Sequence, residues 1–194
     1  TLPDGRLLVG GDFTRVNGEP HVGTVVINPS TGQIDPSWDL QIVNALRGGA
    51  VSVRALTYYD GNVYMGGAFT HLSGGGSSRV YARNAGRVSL SGRPDRSWNP
   101  EISGSVQAVG VSEANSAFYA GGHFTTAHGN QRAWYAAKFS TQPGAAVDTG
   151  FNFEPSSATA GKYQQTIATA GNRVYIGGSE HSLFGYDAAS NQRL

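Results

Sequence analysis

Hydrophobic and polar positions alternate in three stretches: VSVRALTYY (51–59), SVQAVGVS (105–112) and QQTIATA (164–170). A period of two sends every second side chain to one face, so each stretch predicts a half-buried strand. Each runs into a tight-turn signal: Asp60-Gly61-Asn62, Glu113-Ala114-Asn115-Ser116 and Ala170-Gly171-Asn172, with Pro3-Asp4-Gly5 in the same place near the start. Asp-Gly and Gly-Asn pairs supply the positive φ angles that hairpin turns require. After each turn comes a second hydrophobic run with two adjacent glycines inside it: LLVGGDFT (7–14), VYMGGAFT (63–70), FYAGGHFT (118–125) and VYIGGSEH (174–181). Glycine weakens a strand, so a doublet inside one needs a reason. The doublets begin at Gly10, Gly66, Gly121 and Gly177, which are 56, 55 and 56 residues apart. They mark an internal repeat.

Two further elements keep the same register. The third strand of each unit is GTVVIN (23–28), GRVSL (86–90), AWYAAKF (133–139) and SLFGYD (182–187). The fourth element is Asp35-Pro36-Ser37-Trp38-Asp39, Asp95-Arg96-Ser97-Trp98-Asn99 and Asp148-Thr149-Gly150-Phe151-Asn152. Its large aromatic reads as a packing anchor. Its leading aspartate reads as a turn cap. No stretch carries a 3.6-residue period long enough to predict a helix.

Each unit is thus expected to be four short antiparallel strands over about 55 residues. A meander of that size cannot bury its face alone, whereas stacking against copies of itself can. The expected fold is all-β: a β-propeller, or part of one, with four-stranded antiparallel blades. The units fall at 1–50 (lacking the first strand), 51–104, 105–163 and 164–194 (lacking the fourth element). The doublets are explained if one backbone passes close to the next sheet, or forms a bulge, where a Cβ would not fit. The phenylalanine after each doublet is then expected to fill space between blades. Residues 74–85 (GGGSSRVYARNA) read as an insertion, and 40–49 as a second irregular loop.

With those motifs in view, the chain resembles the delta-60 type of bacterial β-propeller repeat: hydrophobic-Tyr-x-Gly-Gly-x-Phe-Thr, then Thr31-Gly32, then Asp-x-Ser-Trp-Asn. The likeness runs along almost the whole chain. It departs at Ser179-Glu180-His181 in place of x-Phe-Thr, and at Phe151 in place of tryptophan. The kelch propeller, which also has a Gly-Gly doublet, is a more distant likeness. The resemblance implies a secreted or cell-surface bacterial protein, in tandem with adhesion-like modules. The strand count, 14, makes about three and a half blades, fewer than the four to eight of closed propellers. Further blades of the same chain, or another subunit, are expected to complete the ring. The first residue is Thr1, which points to a removed leader or a longer polypeptide.

Composition narrows the function. Fourteen basic and 13 acidic residues give a net charge of +1, which argues against nucleic acid or an anionic membrane as a partner. No apolar run reaches the length of a membrane helix, and no membrane insertion is expected. The absence of cysteine removes disulfides, thiolate metal sites and thiol nucleophiles. It also counts against a kelch-type oxidase with a cysteine-linked tyrosine. None of the five histidines forms a metal-ligand spacing, and no nucleophile elbow, phosphate loop or dinucleotide fingerprint occurs. No cofactor and no catalytic residue is nominated.

Two places stand out as candidate binding residues. Asp12 and His123 share the x position of Gly-Gly-x-Phe with Ala68 and Ser179. A varied position in a fixed frame faces either solvent or a ligand. Arg79, Arg83, Arg87, Arg93 and Arg96 fall within 18 residues, with Tyr81 among them. Arg79, Tyr81 and Arg83 are the candidates there, for a carboxylate-bearing partner or a glycan; the alternative is a solvated surface. Two functions remain open. One is a non-enzymatic structural or interaction module whose loops bind protein or glycan. The other is a polysaccharide hydrolase or lyase with its site at a central channel, which would require carboxylates or histidines to converge there.

Overall fold

In the computed structural model, residues 1–129, 131–153, 162–179 and 182–194 are described. They are all-β apart from one 3-10 turn at Glu113–Asn115. The first group of strands is β1 (Leu7–Gly10), β2 (Arg15–Val16), β3 (Glu19–Pro20), β4 (Thr24–Ile27) and β5 (Gln41–Val43). The second is β6 (Ser52–Tyr59), β7 (Asn62–Ala68), β8 (His71–Gly74), β9 (Ser77–Tyr81) and β10 (Ala85–Ser89). The third is β11 (Val106–Ser112), β12 (Ala117–Gly122), β13 (Thr126–Ala127), β14 (Gln131–Arg132) and β15 (Ala136–Ser140). The fourth is β16 (Gln164–Ala170), β17 (Arg173–Gly178) and β18 (Leu183–Asp187).

These strands form four main antiparallel sheets in the same order: β1-β4, β6-β7-β10, β11-β12-β15 and β16-β17-β18. In the three-stranded sheets the alternating runs form the first strand and the glycine-doublet runs the middle one; in the first sheet the doublet strand β1 pairs with β4 alone. The fourth element departs from expectation. In its three copies it touches its sheet through one bridge, at Ile34, Pro94 and Val147, and then turns away. Pro36 and Pro94 have no N–H to give to a ladder. The aspartate instead accepts the backbone N–H two residues on, from Ser37 at 2.9 Å, Ser97 at 2.8 Å and Gly150 at 2.9 Å. The local bond to the side chain outcompetes the extended ladder.

The segment 74–85 is the enlargement of a hairpin that recurs in the repeat rather than a separate insertion. Its strand β9 pairs with β8, and equivalent short hairpins, β2-β3 and β13-β14, stand in the neighbouring units. The second hairpin is longer and recruits β5, giving a small sheet in the order β5-β8-β9. Its inner side chains, Ile42, Leu72 and Val80, are buried.

Between successive main sheets lie three hydrophobic cores. Trp38, Val53, Met65 and Phe69 belong to the first; Tyr64, Trp98, Phe118 and Phe124 to the second; Phe151, Ile176 and Phe184 to the third. Trp98 is fully buried, edge-on to Tyr64 and Phe118 at 5.0 Å each, and its indole N–H reaches the Ser140 carbonyl at 2.9 Å. Phe69 and Phe124 are buried in these cores, while Phe13 stays half-buried.

The two glycines of a doublet do different work. A Cβ on Gly10 would meet Val53 Cγ1 at 2.8 Å; on Gly66 it would overlap Val106 and reach Val109 at 2.8 Å; on Gly121 it would meet Gln164 Cβ at 3.0 Å. In each case the obstacle is the first strand of the following sheet. A Cβ on the second glycine, at Gly67, Gly122 or Gly178, would run into the backbone carbonyl of Ser52, Ser105 or Tyr163 within its own sheet. There the first strand carries a bulge, between Val53 and Ala55, Val106 and Ala108, and Gln164 and Thr166. The first glycine admits the neighbouring sheet and the second admits the bulge.

Candidate functional site

Each bulge contributes one extra residue: Arg54, Gln107 and Gln165. A bulge re-aims its side chain out of the ladder. Arg54 and Gln165 are exposed, and Gln107 is half-buried with its amide on Ser105 Oγ at 3.3 Å. The x position after each doublet lies at the same end of the sheets. Arg54 therefore comes beside Asp12, with Nη2 at 3.7 Å from Oδ2. His123 stacks on Tyr163, the ring centroids 4.3 Å apart and the planes inclined by 22°. Partial desolvation, then the Arg54 cation, hold the His123 imidazole below its ordinary pKa. Asp12, Arg54 and His123 come from three successive units, Tyr163 immediately precedes β16, and the four share one polar end of the stack. Sequence reading found Asp12 and His123. Arg54 and Tyr163 were missed, because a bulge leaves no mark in a pattern of alternation.

The other three candidates separate. Tyr81 lies on the outer face of the β5-β8-β9 sheet, in a cross-strand row with His71 and Val43. The His71 and Tyr81 rings meet edge to face at 5.4 Å, and Arg79 Nη2 lies 3.4 Å from His71 Nδ1. Desolvation first, and Arg79 second, lower the His71 pKa. Arg83 is turned inward, donating to the Ser103 carbonyl at 3.0 Å, and is not part of that face.

Arg87 is not at the surface at all. It donates through Nε to Asp95 Oδ2 at 2.9 Å, and through Nη1 to the Tyr64 hydroxyl at 3.2 Å and to the Thr141 carbonyl of the next unit. The arrangement recurs. Arg6 pairs with Asp35 at 2.8 Å and donates to the Leu90 carbonyl at 3.0 Å. Lys138 pairs with Asp148 at 2.8 Å and donates to the Ala188 carbonyl at 2.9 Å. In all three, the aspartate of the fourth element caps its own turn with one oxygen and anchors a cation with the other. That cation ties the unit to a carbonyl of the next. Arg6 and then Ser37 bring the Asp35 pKa down to about 2. For Asp95, burial pushes upward but the bonds from Ser97 and Arg87 outweigh it; for Asp148, burial is outweighed by Lys138 and Asn191. No sequence signal found these latches, because Arg6 precedes the doublet strand whereas Arg87 and Lys138 follow it.

Two clefts open between a hairpin and the aspartate turn of the same unit. The first, about 770 Å³, includes Glu19, His21, Gln33, Pro36, Asp39 and Gln41 in its walls. The second, about 560 Å³, includes Asn62, Ser77, Ser78, Arg93, Asp95 and Arg96. Counting from the turn aspartates, Gln33 corresponds to Arg93 and Pro36 to Arg96. The frame is kept and the lining changes. Among the described residues no group of three His, Cys, Asp or Glu side chains is placed to hold a metal. No helix among them is long and apolar enough to cross a membrane.

Comparison with known proteins bears on the fold and on little else. No curated protein matches the chain. Among solved structures, the crystal structure of the computationally designed Ika8 protein aligns with 88% of this chain and 67% of its own, at 14% identity and a TM-score of 0.30. Residues 2–37 match the model of a family described as a domain of unknown function (DUF5122), beta-propeller. That match supports a β-propeller repeat family for this all-β chain.

Proposed function

We propose that this chain is a segment of a delta-60 type β-propeller serving as a non-enzymatic interaction module of a bacterial secreted or cell-surface protein. Its four units are successive blades of a repeat of about 55 residues, each with a main sheet edged by its aspartate turn. Supporting this reading, the first glycine of each doublet receives the next sheet in the same way three times over. At the fourth such glycine, Gly177, the nearest atoms to its Cβ position among the described residues belong to Thr166, Leu183 and Ser182 on its own sheet. Further blades of the same chain, or another subunit, would seat there and complete the ring.

The observation that carries the binding role is the pair of clefts with one frame and two linings. A scaffold that holds its packing residues while varying a concave surface is suited to recognition. The partner is a protein or a glycan. A hydrolase or lyase reading would rest on Asp12 and His123, which share one end of the stack. Against it, the Asp12 carboxylate faces the Arg54 guanidinium. The test is titration of the chain with a panel of oligosaccharides and peptides by calorimetry, with product analysis of the same mixtures. Binding without turnover is expected, unaltered chemically in D12N and H123A. Release of new reducing ends or unsaturated sugars that vanishes in D12N or H123A would overturn the module reading.

A further inference from the structure

Five arginines crowd residues 79–96 in a chain of net charge +1. The structure sorts them. Arg87 is spent in its latch and Arg83 on the Ser103 carbonyl. Arg79 lies on the outer hairpin face beside His71. Arg93 and Arg96 remain, exposed, both in the wall of the second cleft. The carboxylate in that wall, Asp95, is already occupied: one oxygen takes the Ser97 N–H and hydroxyl, the other takes Arg87. Among the described residues neither Arg93 nor Arg96 has a carboxylate partner; Arg96 donates to Ser78 Oγ at 2.6 Å. The cleft thus carries two uncompensated guanidinium groups.

The rest of its lining is neutral and mixed: the hydroxyls of Ser77, Ser78 and Ser89 and the amide of Asn62 stand beside apolar surface that includes Val80 and Pro94. Planar guanidinium forks match carboxylate and sulfate oxygens, and short hydroxyl and amide side chains match the hydroxyls of a sugar ring. A volume of about 560 Å³ is of the size that holds a small organic ligand. The corresponding cleft of the first unit is a built-in contrast, with Gln33 and Pro36 at the two arginine positions and Glu19 and Asp39 in its wall. No arginine or lysine lines it.

We propose that the cleft between β9 and the Asp95 turn binds a saccharide bearing carboxylate or sulfate groups, its anion held by Arg93 and Arg96 and its hydroxyls by the serines and Asn62. This rests on the module reading and names the ligand class of one of its clefts.

The experiment is calorimetric titration of the whole chain with trigalacturonate and with a heparin-derived tetrasaccharide, the two sources of anionic sugar. Maltotriose, inorganic sulfate and hexaglutamate are the comparison ligands. At least one anionic saccharide is expected to bind, more weakly as salt rises, and about tenfold or more weaker in R93A and in R96A. R173A, at the start of β17 in the fourth sheet, is expected to leave affinity unchanged. Both cleft arginines are exposed, and an unchanged urea midpoint will verify that R93A and R96A fold. The proposal is overturned if neither anionic saccharide binds, if R93A and R96A bind as the parent does, or if inorganic sulfate or hexaglutamate binds as tightly. Binding of some other ligand without dependence on Arg93 and Arg96 would sink this proposal and leave the module reading standing. Turnover of a bound sugar would sink the module reading and leave the cleft assignment to be judged on R93A and R96A.

Discussion

Replacing Gly66 with alanine adds one methyl group at the point where two sheets are closest. The new Cβ overlaps Val106 Cγ1 and comes to 2.8 Å from Val109 Cγ1 and 3.1 Å from Val106 Cβ. Val106 is fully buried and β-branched, so it cannot swing aside; β11 itself must move away from β7. Overpacking of this kind costs about 1–3 kcal/mol, while alanine returns about 0.4–1 kcal/mol by restricting the unfolded chain. The net loss expected for Gly66→Ala is about 1–2 kcal/mol, or roughly 2–8 °C in Tm for a chain of this size. Gly67→Ala is expected to be worse, about 3 kcal/mol or more, because the obstacle is the Ser52 carbonyl and the bulge must come apart. Gly177→Ala is the control: the nearest described atom to its Cβ is the Thr166 methyl at 3.1 Å within its own sheet, and a change within about 1 kcal/mol is expected. Urea unfolding of the three variants, followed by tryptophan fluorescence, gives the comparison. A Gly66 variant as stable as the parent, or a Gly177 variant as damaged as Gly66, would refute the claim that the doublets exist to let sheets approach.

Trp98→Ala is expected to cost about 3–5 kcal/mol, since it empties the second core and frees the Ser140 carbonyl; a loss below about 1 kcal/mol in the same assay would contradict its burial. The latches predict a pH dependence. Asp35, Asp95 and Asp148 have folded pKa values below the unfolded 3.8, so their contribution is complete above that value and is lost as pH falls through the lowered ones, near 2 for Asp35. Asp95→Asn keeps the turn-capping oxygen but loses the charge facing Arg87, and is expected to be about 1–3 kcal/mol less stable than the parent at pH 7. The two urea midpoints are then expected to converge as the pH is lowered from 4 to 2; a constant gap across that range would show that the charge on Asp95 does not hold the latch.

The glycine doublets, the alternating strands and the Asp-x-Ser-Trp turns were legible because each is a local rule repeated at a fixed spacing. Periodicity of two requires a strand with one buried face, and a buried Trp98 or Phe151 follows from a large aromatic in a fixed frame. The short hairpins escaped notice because β2, β3, β13 and β14 have two residues each, too few to show a pattern. The fourth strand was expected and is instead one bridge and a turn, because proline and an aspartate side chain won locally over the ladder.

The sequence alone therefore determined the all-β class, the repeat and where the chain must lack a Cβ. The class and the repeat follow from local patterns; the doublets mark where a Cβ is missing, while the groups that each first Cβ would strike lie in a distant strand. What only the tertiary structure decided is which distant groups meet: Asp12 with Arg54, His123 with Tyr163, Arg6 with the Leu90 carbonyl, and Arg93 and Arg96 with the serines of β9. Charge and hydrogen-bonding capacity are written in the residue names. Whether a guanidinium is spent on a latch or left facing a cleft depends on how the sheets stack, and stacking brings together residues that the linear order keeps apart.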